Sequence, residues 1–143
     1  LPVIKADCLR YTITFRGLLP SATIPVLVNL VPNFLAAASP VVHNYAAVLL
    51  EKLLLMTLPD QPMDISAPEL LIQRLLETLS RQCSLESVYL MRALLRACAC
   101  LEERCLPSMN ALVPHLVNRL SQVVKVLSLV CPKPRVTLIG HRA

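Results

Sequence analysis

The sequence predicts an all-α fold: a right-handed α-solenoid of about three stacked helix pairs, with about six principal helices. Three observations predict it. The form Pro-x-Leu-[Val/Leu] occurs at Pro25-Val26-Leu27-Val28, Pro68-Glu69-Leu70-Leu71 and Pro114-His115-Leu116-Val117, spaced 43 and 46 residues apart. Between these, Val followed five positions later by a small residue recurs at Val3/Cys8, Val42/Ala47 and Val88/Ala93, spaced 39 and 46 residues apart. Two interleaved signatures with a period of roughly 40–47 residues are what two-helix HEAT-type units produce. Composition is the third observation. Hydrophobic residues make up 55% of the chain, enough for a continuous core, and Leu, Val and Ala dominate over a handful of aromatics. The only glycines, Gly17 and Gly140, leave no glycine-rich phosphate loop and no hairpin-rich β fold. Twelve prolines fit a helical chain if each short helix must be started and stopped.

The first pair covers residues 1–38. Its first helix spans 2–16, with Val3, Ile4, Leu9, Ile13 and Phe15 as apolar positions and Lys5, Asp7, Arg10 and Arg16 on the wetter side. Gly17 to Pro20 stops it. The partner helix runs from Ala22 to Ala38 and restarts at Pro32, whose ring nitrogen donates no intrahelical bond. The second pair covers 39–83. Ser39-Pro40 supplies an N-cap and a proline at the first helical position. From Val41 to Met56, Val42, Tyr45, Ala46, Leu49, Leu50 and Leu53 fall at helical spacing. Leu58 to Asp64 is a loop of turn formers. Ser66-Ala67-Pro68-Glu69 has the capping-box form and opens a helix reaching about Cys83. The third pair covers 84–131. It opens at Ser84, with Glu86 and Ser87 in the first turn, and runs to Arg104. Leu106-Pro107-Ser108 breaks it, and a second helix covers Met109 to Val130 with a bend at Pro114. After Pro132-Lys133-Pro134, residues 135–143 match neither signature.

Charge and cysteines narrow the function. The formal net charge is +5, but Lys133, Arg135 and Arg142 crowd into the last eleven residues; without them the balance is +2. A nucleic-acid binder would carry a basic stripe on its folded body, so no nucleic-acid partner is expected. Cys98, Cys100 and Cys105 form the only cysteine cluster. On a helix, positions 98 and 100 point about 200° apart, and no second Cys/His pair follows at zinc-ligand spacing. Buried thiols acting as small hydrophobes in a reducing compartment are expected, with no metal and no cofactor. Residues 17–50 carry no Asp, Glu, Lys or Arg. Pro20, Pro25, Pro32 and Pro40 divide that stretch and Asn29, Asn33 and Asn44 interrupt its apolar faces, so membrane insertion is not expected either. No basic n-region or cleavage site marks a secretory signal. Catalysis finds no support: there is no Ser-His-Asp grouping, no His-Glu-x-x-His and no phosphate loop, and the chain reads as a binding protein, not an enzyme.

Read this far, residues 1–134 resemble part of the CAS exportin family of the importin-β superfamily. Ile4-Lys5-Ala6-Asp7, Tyr11 and Phe15-Arg16 carry the resemblance, followed by Ile24-Pro25-Val26-Leu27-Val28-Asn29. The most specific match is Val41-Val42-His43-Asn44-Tyr45-Ala46-Ala47. Weaker ones follow at Tyr89-Leu90-Met91-Arg92-Ala93 and at Pro114-His115-Leu116-Val117. The resemblance implies a segment of a nuclear export receptor that binds importin-α cooperatively with Ran in its GTP form. It also implies shuttling between nucleus and cytoplasm, with nuclear pore proteins as further partners; the nucleotide stays on Ran. In such a solenoid the first helices form the convex face and the second helices line the concave one. Two departures stand out. The family's proteins are much longer superhelices, so this chain corresponds to a middle portion, and residues 135–143 leave the family's pattern. Neither terminal repeat carries a polar cap, so the ends of the stack should expose apolar faces.

Polar positions on the second helices are the candidate protein-binding residues. They are Asn29 and Asn33; Gln73, Arg74, Glu77 and Arg81; and Asn118, Arg119, Gln122 and Lys125. Arg74 and Arg119 stand out because arginine is enriched where interfaces carry energy. The competing reading for each is an ordinary solvated residue on an amphipathic helix. His43 reads as a partly buried packing histidine, and Arg92 and Arg96 as a charged first-helix face, unless part of it packs against a neighbour. Two further readings compete: a HEAT-type adaptor for some other protein, and a small membrane protein using residues 17–50.

Overall fold

In the computed structural model, residues 1–56, 65–81 and 87–130 are described, with side chains through residue 127. Among these residues every regular element is helical and no strand occurs. The principal helices are α1 (Pro2–Phe15), α2 (Thr23–Leu30), α3 (Pro32–Leu35), α4 (Pro40–Leu55), α5 (Pro68–Ser80), α6 (Val88–Leu101) and α7 (Met109–Val130). α2 and α3 are one interrupted helix. Pro32 opens the second half as expected, since it can start a helix but not continue one. Pro2, Pro40 and Pro68 likewise stand at the starts of α1, α4 and α5, whereas Pro107 and Pro114 lie inside helical segments. The expected loop at Leu58 to Asp64, the helix start at Ser84 and the tail after Pro134 lie outside the described residues.

The chain divides into two units, Leu1–Met109 and Asn110–Ala143. In the first unit the helices form two rows. α1, α4 and α6 pack side by side in one row, and α3 packs on α5 in the other. Between rows, α4 lies on α2 and α3, and α6 lies on α5. This is the two-row arrangement of a helical-repeat stack.

α4 is the centre of it. With neighbours on several sides, it buries Val42, Ala46, Ala47, Leu49, Leu50, Leu53 and Leu54, an arc of roughly 160° around the helix. Each buried leucine is worth about 1.5–3 kcal/mol of apolar transfer. Ala46 and Ala47, and Ala93 and Ala97 on α6, are fully buried, and their small side chains let the row close up. α5 adds Leu71, Ile72, Leu75 and Leu79 from beneath.

Side-chain hydrogen bonds between successive pairs restate the repeat. Thr78 Oγ1 reaches the Leu35 carbonyl at 3.0 Å, 43 residues away, while also contacting the Arg74 carbonyl. Ser87 Oγ donates to Asn44 Oδ1 at 2.7 Å, again across 43 residues. Arg104 donates to the Ile65 carbonyl at 2.7 Å, across 39. Each bond spans about one sequence period, because neighbouring helices in a row are equivalent positions of successive units.

The structure corrects four local readings. On α1, Ala6 and Leu9 are buried, whereas Val3, Ile4 and Phe15 are exposed. α1 packs mainly on α4, so one side of it is covered and the other is left open. The capping box at Ser66 does not form: Ala67 is the N-cap, and Ser66 N–H donates instead to Asn29 Oδ1 at 2.9 Å. A partner from the preceding pair replaces the local cap. Ser87 precedes α6 as its N-cap, accepting from the Leu90 N–H at 3.4 Å, rather than lying in its first turn. Finally, α6 stops at Leu101, not Arg104. Glu102 there takes a positive φ of 48°, and residues Glu102–Ser108 continue as a 3₁₀ segment that includes Pro107.

α7 belongs, beyond Met109, to the second unit and continues through Pro114 as one helix. No helix among the described residues is long and apolar enough to cross a membrane.

Candidate protein-binding surface

The second-row helix α5 turns an alternating surface outward. Its apolar stripe, Leu71, Ile72, Leu75 and Leu79, faces the core, which leaves Glu69, Gln73, Glu77 and Ser80 exposed at helical spacing. Three of the expected site residues meet here. Gln73 Nε2 donates to Glu77 Oε1 at 2.8 Å, and the Arg74 guanidinium lies 3.8 Å from Glu77 Oε2. Both ionic partners are roughly half exposed, so the pair is a rim contact that a partner could rearrange at little cost.

Arg81 has a different environment. Its guanidinium donates to the Ala37 carbonyl at 2.7 Å and to the Ala36 carbonyl at 3.2 Å. These carbonyls lie just past the C-terminus of α3, where the helix dipole and unsatisfied acceptors attract a cation. Arg81 therefore ties α5 to the pair before it. Asn29 is engaged in the same manner, donating to the Pro25 carbonyl and accepting from Ser66 N–H. Asn33 is exposed.

On α7, Asn118, Gln122 and Lys125 are exposed and share a face at i, i+4 and i+7, and Arg119 beside them is half-buried. Partial burial, and then the Arg119 charge, hold the His115 imidazole below its ordinary pKa.

His43, in the most specific stretch of the sequence, is fully buried, with Nδ1 3.2 Å from the Ala37 carbonyl. It is the packing histidine expected, more deeply set. The Arg92 face is the larger surprise. Arg92 Nε and Nη2 lie 3.1 and 3.0 Å from Oε1 of Glu51, a residue only 6% exposed in the middle of α4. The acid missing from α6 sits one repeat back, 41 residues away. Pairing residues at that separation, rather than within one helix, is the sequence signal that would have found it.

The thiols of the described residues are not the fully buried groups expected: Cys8 is exposed, and Cys98, Cys100 and Cys105 are partly buried. Burial, and then the neighbouring Cys105 thiol, push the Cys98 thiol above its usual pKa. Cys100 donates weakly to the Leu54 carbonyl at 3.6 Å. Among the described residues no three His, Cys, Asp or Glu side chains converge as metal ligands would. A groove of about 240 Å³ opens between the N-terminal ends of α1 and α4, lined by Pro2, Val3, Ala6, Asp7, Ser39, Val41 and Tyr45. It is below the usual size of a small-molecule site, about 300–1,000 Å³.

Stacked helices with polar second-row positions define a helical-repeat scaffold. Comparison with known proteins gives the particular kind. The family described as Cse1 matches residues 1–50. The chain is 35% identical over 130 residues to exportin-2 of Homo sapiens and of Oreochromis niloticus, and 34% identical to that of Xenopus laevis. These alignments cover 87% of this chain and 13% of each relative. The chain is thus related to the CAS exportins along most of its length, as its sequence implied, and spans a small part of theirs. No solved structure matches it.

Proposed function

We propose that this chain is a segment of a nuclear export receptor, contributing part of the surface that binds importin-α together with Ran in its GTP form. The observation that supports this reading is the 35% identity to exportin-2 over 130 residues, carried on a helical-repeat stack that offers a polar second-row face. The chemistry is binding alone, with the nucleotide held by Ran, and the host protein shuttles between nucleus and cytoplasm. Gln73, Arg74 and Glu77 on α5, and Asn118, Arg119 and Gln122 on α7, are the residues proposed to meet a partner. Arg81 contributes by holding α5 in place.

Coupling between partners suits such a stack. Each unit touches only its neighbours, so small rotations add along the array. A chimera tests the reading: human exportin-2 with the aligned stretch replaced by this sequence. It should retain importin-α in a pull-down with Ran held in its GTP form and lose it with Ran in its GDP form. A folded chimera that captures no importin-α in either state overturns the proposal. Capture that ignores the nucleotide would point to a helical-repeat adaptor instead.

A further inference from the structure

Two thiols meet at the turn that ends α6. Cys98 lies in the last turn of α6, and Cys105 in the 3₁₀ segment Glu102–Ser108 that follows. In an unbroken helix, residues seven apart stand about 10 Å from each other along the axis. A disulfide needs Cα atoms within about 7 Å. The helix breaks at Glu102, which takes φ 48° and ψ −118°, a conformation costly for a residue with a Cβ. Past that turn Cys105 folds back. Its Sγ donates to the Glu102 carbonyl at 2.9 Å, and its side chain shares a hydrogen bond with that of Cys98. Cys100, only two residues from Cys98, turns the other way and donates to the Leu54 carbonyl of α4.

The two sulfurs differ in their surroundings. Cys105 is partly exposed and stands between the exposed Arg104 and Leu106. Cys98 is flanked by the buried Ala97 and Leu101, and burial is the main reason its thiol keeps its proton beyond the usual range. Such a division suits a pair in which one sulfur is reached from solution and the other reacts with it from inside.

We infer that Cys98 and Cys105 are a redox-active dithiol, closed to a disulfide across the Glu102 turn by a low-molecular-weight disulfide such as oxidised glutathione. The Cys105 sulfur attacks one sulfur of the small disulfide, forming a mixed disulfide and releasing one glutathione thiol that carries off the Cys105 proton. Cys98 then gives up its proton and attacks the Cys105 sulfur, releasing the second glutathione thiol. Two protein thiols lose two electrons and two protons, and the small disulfide gains them. The closed bond fastens the end of α6 to the 3₁₀ segment. This site is independent of the export reading.

Mass spectrometry of the full chain tests this, after incubation with oxidised glutathione, alkylation and tryptic digestion without reduction. Cleavage after Arg96, Arg104 and Arg119 puts Cys98 and Cys105 on separate peptides. The expected product is these two peptides joined, exceeding the glutathione adduct of Cys105 by about tenfold or more, because the second thiol acts at high effective concentration. Dithiothreitol should part them, and diluting the protein should leave the yield unchanged. Cys100→Ser should keep the link, which assigns it to Cys98. Cys98→Ser should abolish it and trap glutathione on Cys105. Unchanged helicity by circular dichroism checks that both serine variants fold. Free thiols throughout, or wild-type Cys105 recovered mainly as its glutathione adduct, overturns the inference. So does a link that Cys98→Ser leaves at wild-type yield, or one that fades on dilution and therefore joins separate chains.

Discussion

Replacing Arg81 with alanine separates a structural from a binding role among the residues of α5. In the folded chain its guanidinium donates to two carbonyls, Ala37 at 2.7 Å and Ala36 at 3.2 Å. Hydrogen bonds involving a charged group contribute about 1.5–3 kcal/mol net when shielded from water. Here the upper figure does not apply. Ala36 is exposed, so water takes over the longer bond, and His43 Nδ1 stays within 3.2 Å of the Ala37 carbonyl. The expected loss for Arg81→Ala is therefore about 1.5 kcal/mol, at the low end of that range. With a urea m-value of about 2 kcal/mol/M, the unfolding midpoint falls by roughly 0.7 M. Arg81→Lys keeps the charge but cannot fork to both carbonyls, and should recover about half of the loss. Arg74→Ala is the control: its ionic partner is the exposed Glu77 at 3.8 Å, and its removal should cost less than about 0.5 kcal/mol. Urea denaturation followed by circular dichroism at 222 nm reads all three. Equal midpoints for wild type and Arg81→Ala, or an equal loss for Arg74→Ala, would refute the tie between α5 and α3.

Three other outcomes follow from the same geometry. Arg92→Ala leaves the Glu51 carboxylate buried without its cation; because Arg92 itself is about half exposed, the loss should be about 2 kcal/mol rather than the 3–5 of a fully buried pair. A double-mutant cycle with Glu51→Gln should show coupling above about 1 kcal/mol, and a coupling near zero would remove the pair from the account of stability. Glu102→Gly should stabilise the chain by about 1 kcal/mol, since glycine takes φ 48°, ψ −118° without the clash a Cβ brings; a lower thermal midpoint would count against strain there. His115 should titrate below the ordinary histidine range in an NMR pH series, and Arg119→Gln should move it back upward in part. A base whose folded pKa is depressed binds fewer protons folded than unfolded, so its contribution to stability is present above the ordinary value and is lost as pH falls from there through the lowered folded one. An unshifted His115 resonance would refute the effect.

The candidate surface was legible only in part. Gln73 and Glu77 are exposed on one face of α5 with Arg74 partly exposed beside them, because helical period fixes which residues share a face. Asn29 and Arg81 obey the same period, yet the fold spends both on backbone groups of a neighbouring segment. Sequence gives the direction of a side chain around its own helix, but not what stands opposite. The same limit explains Val3 and Ile4, apolar residues exposed because nothing among the described residues of the first unit covers that side of α1. It explains Glu51 too, an acid inside a buried run whose cation arrives from 41 residues downstream.

The amino-acid sequence by itself determined that the chain is helical, where prolines start and interrupt helices, and that the units recur every forty-odd residues. It also determined the relationship to the CAS exportins, because these are properties of local spacing and residue type. Only the tertiary structure decided which apolar stripes are covered and which stay open, where α6 ends, and which polar residues hold the stack together rather than face a partner. Those outcomes depend on contacts between units, and a contact across one repeat is set by the stacking of two helices, a relation that no single stretch of chain contains.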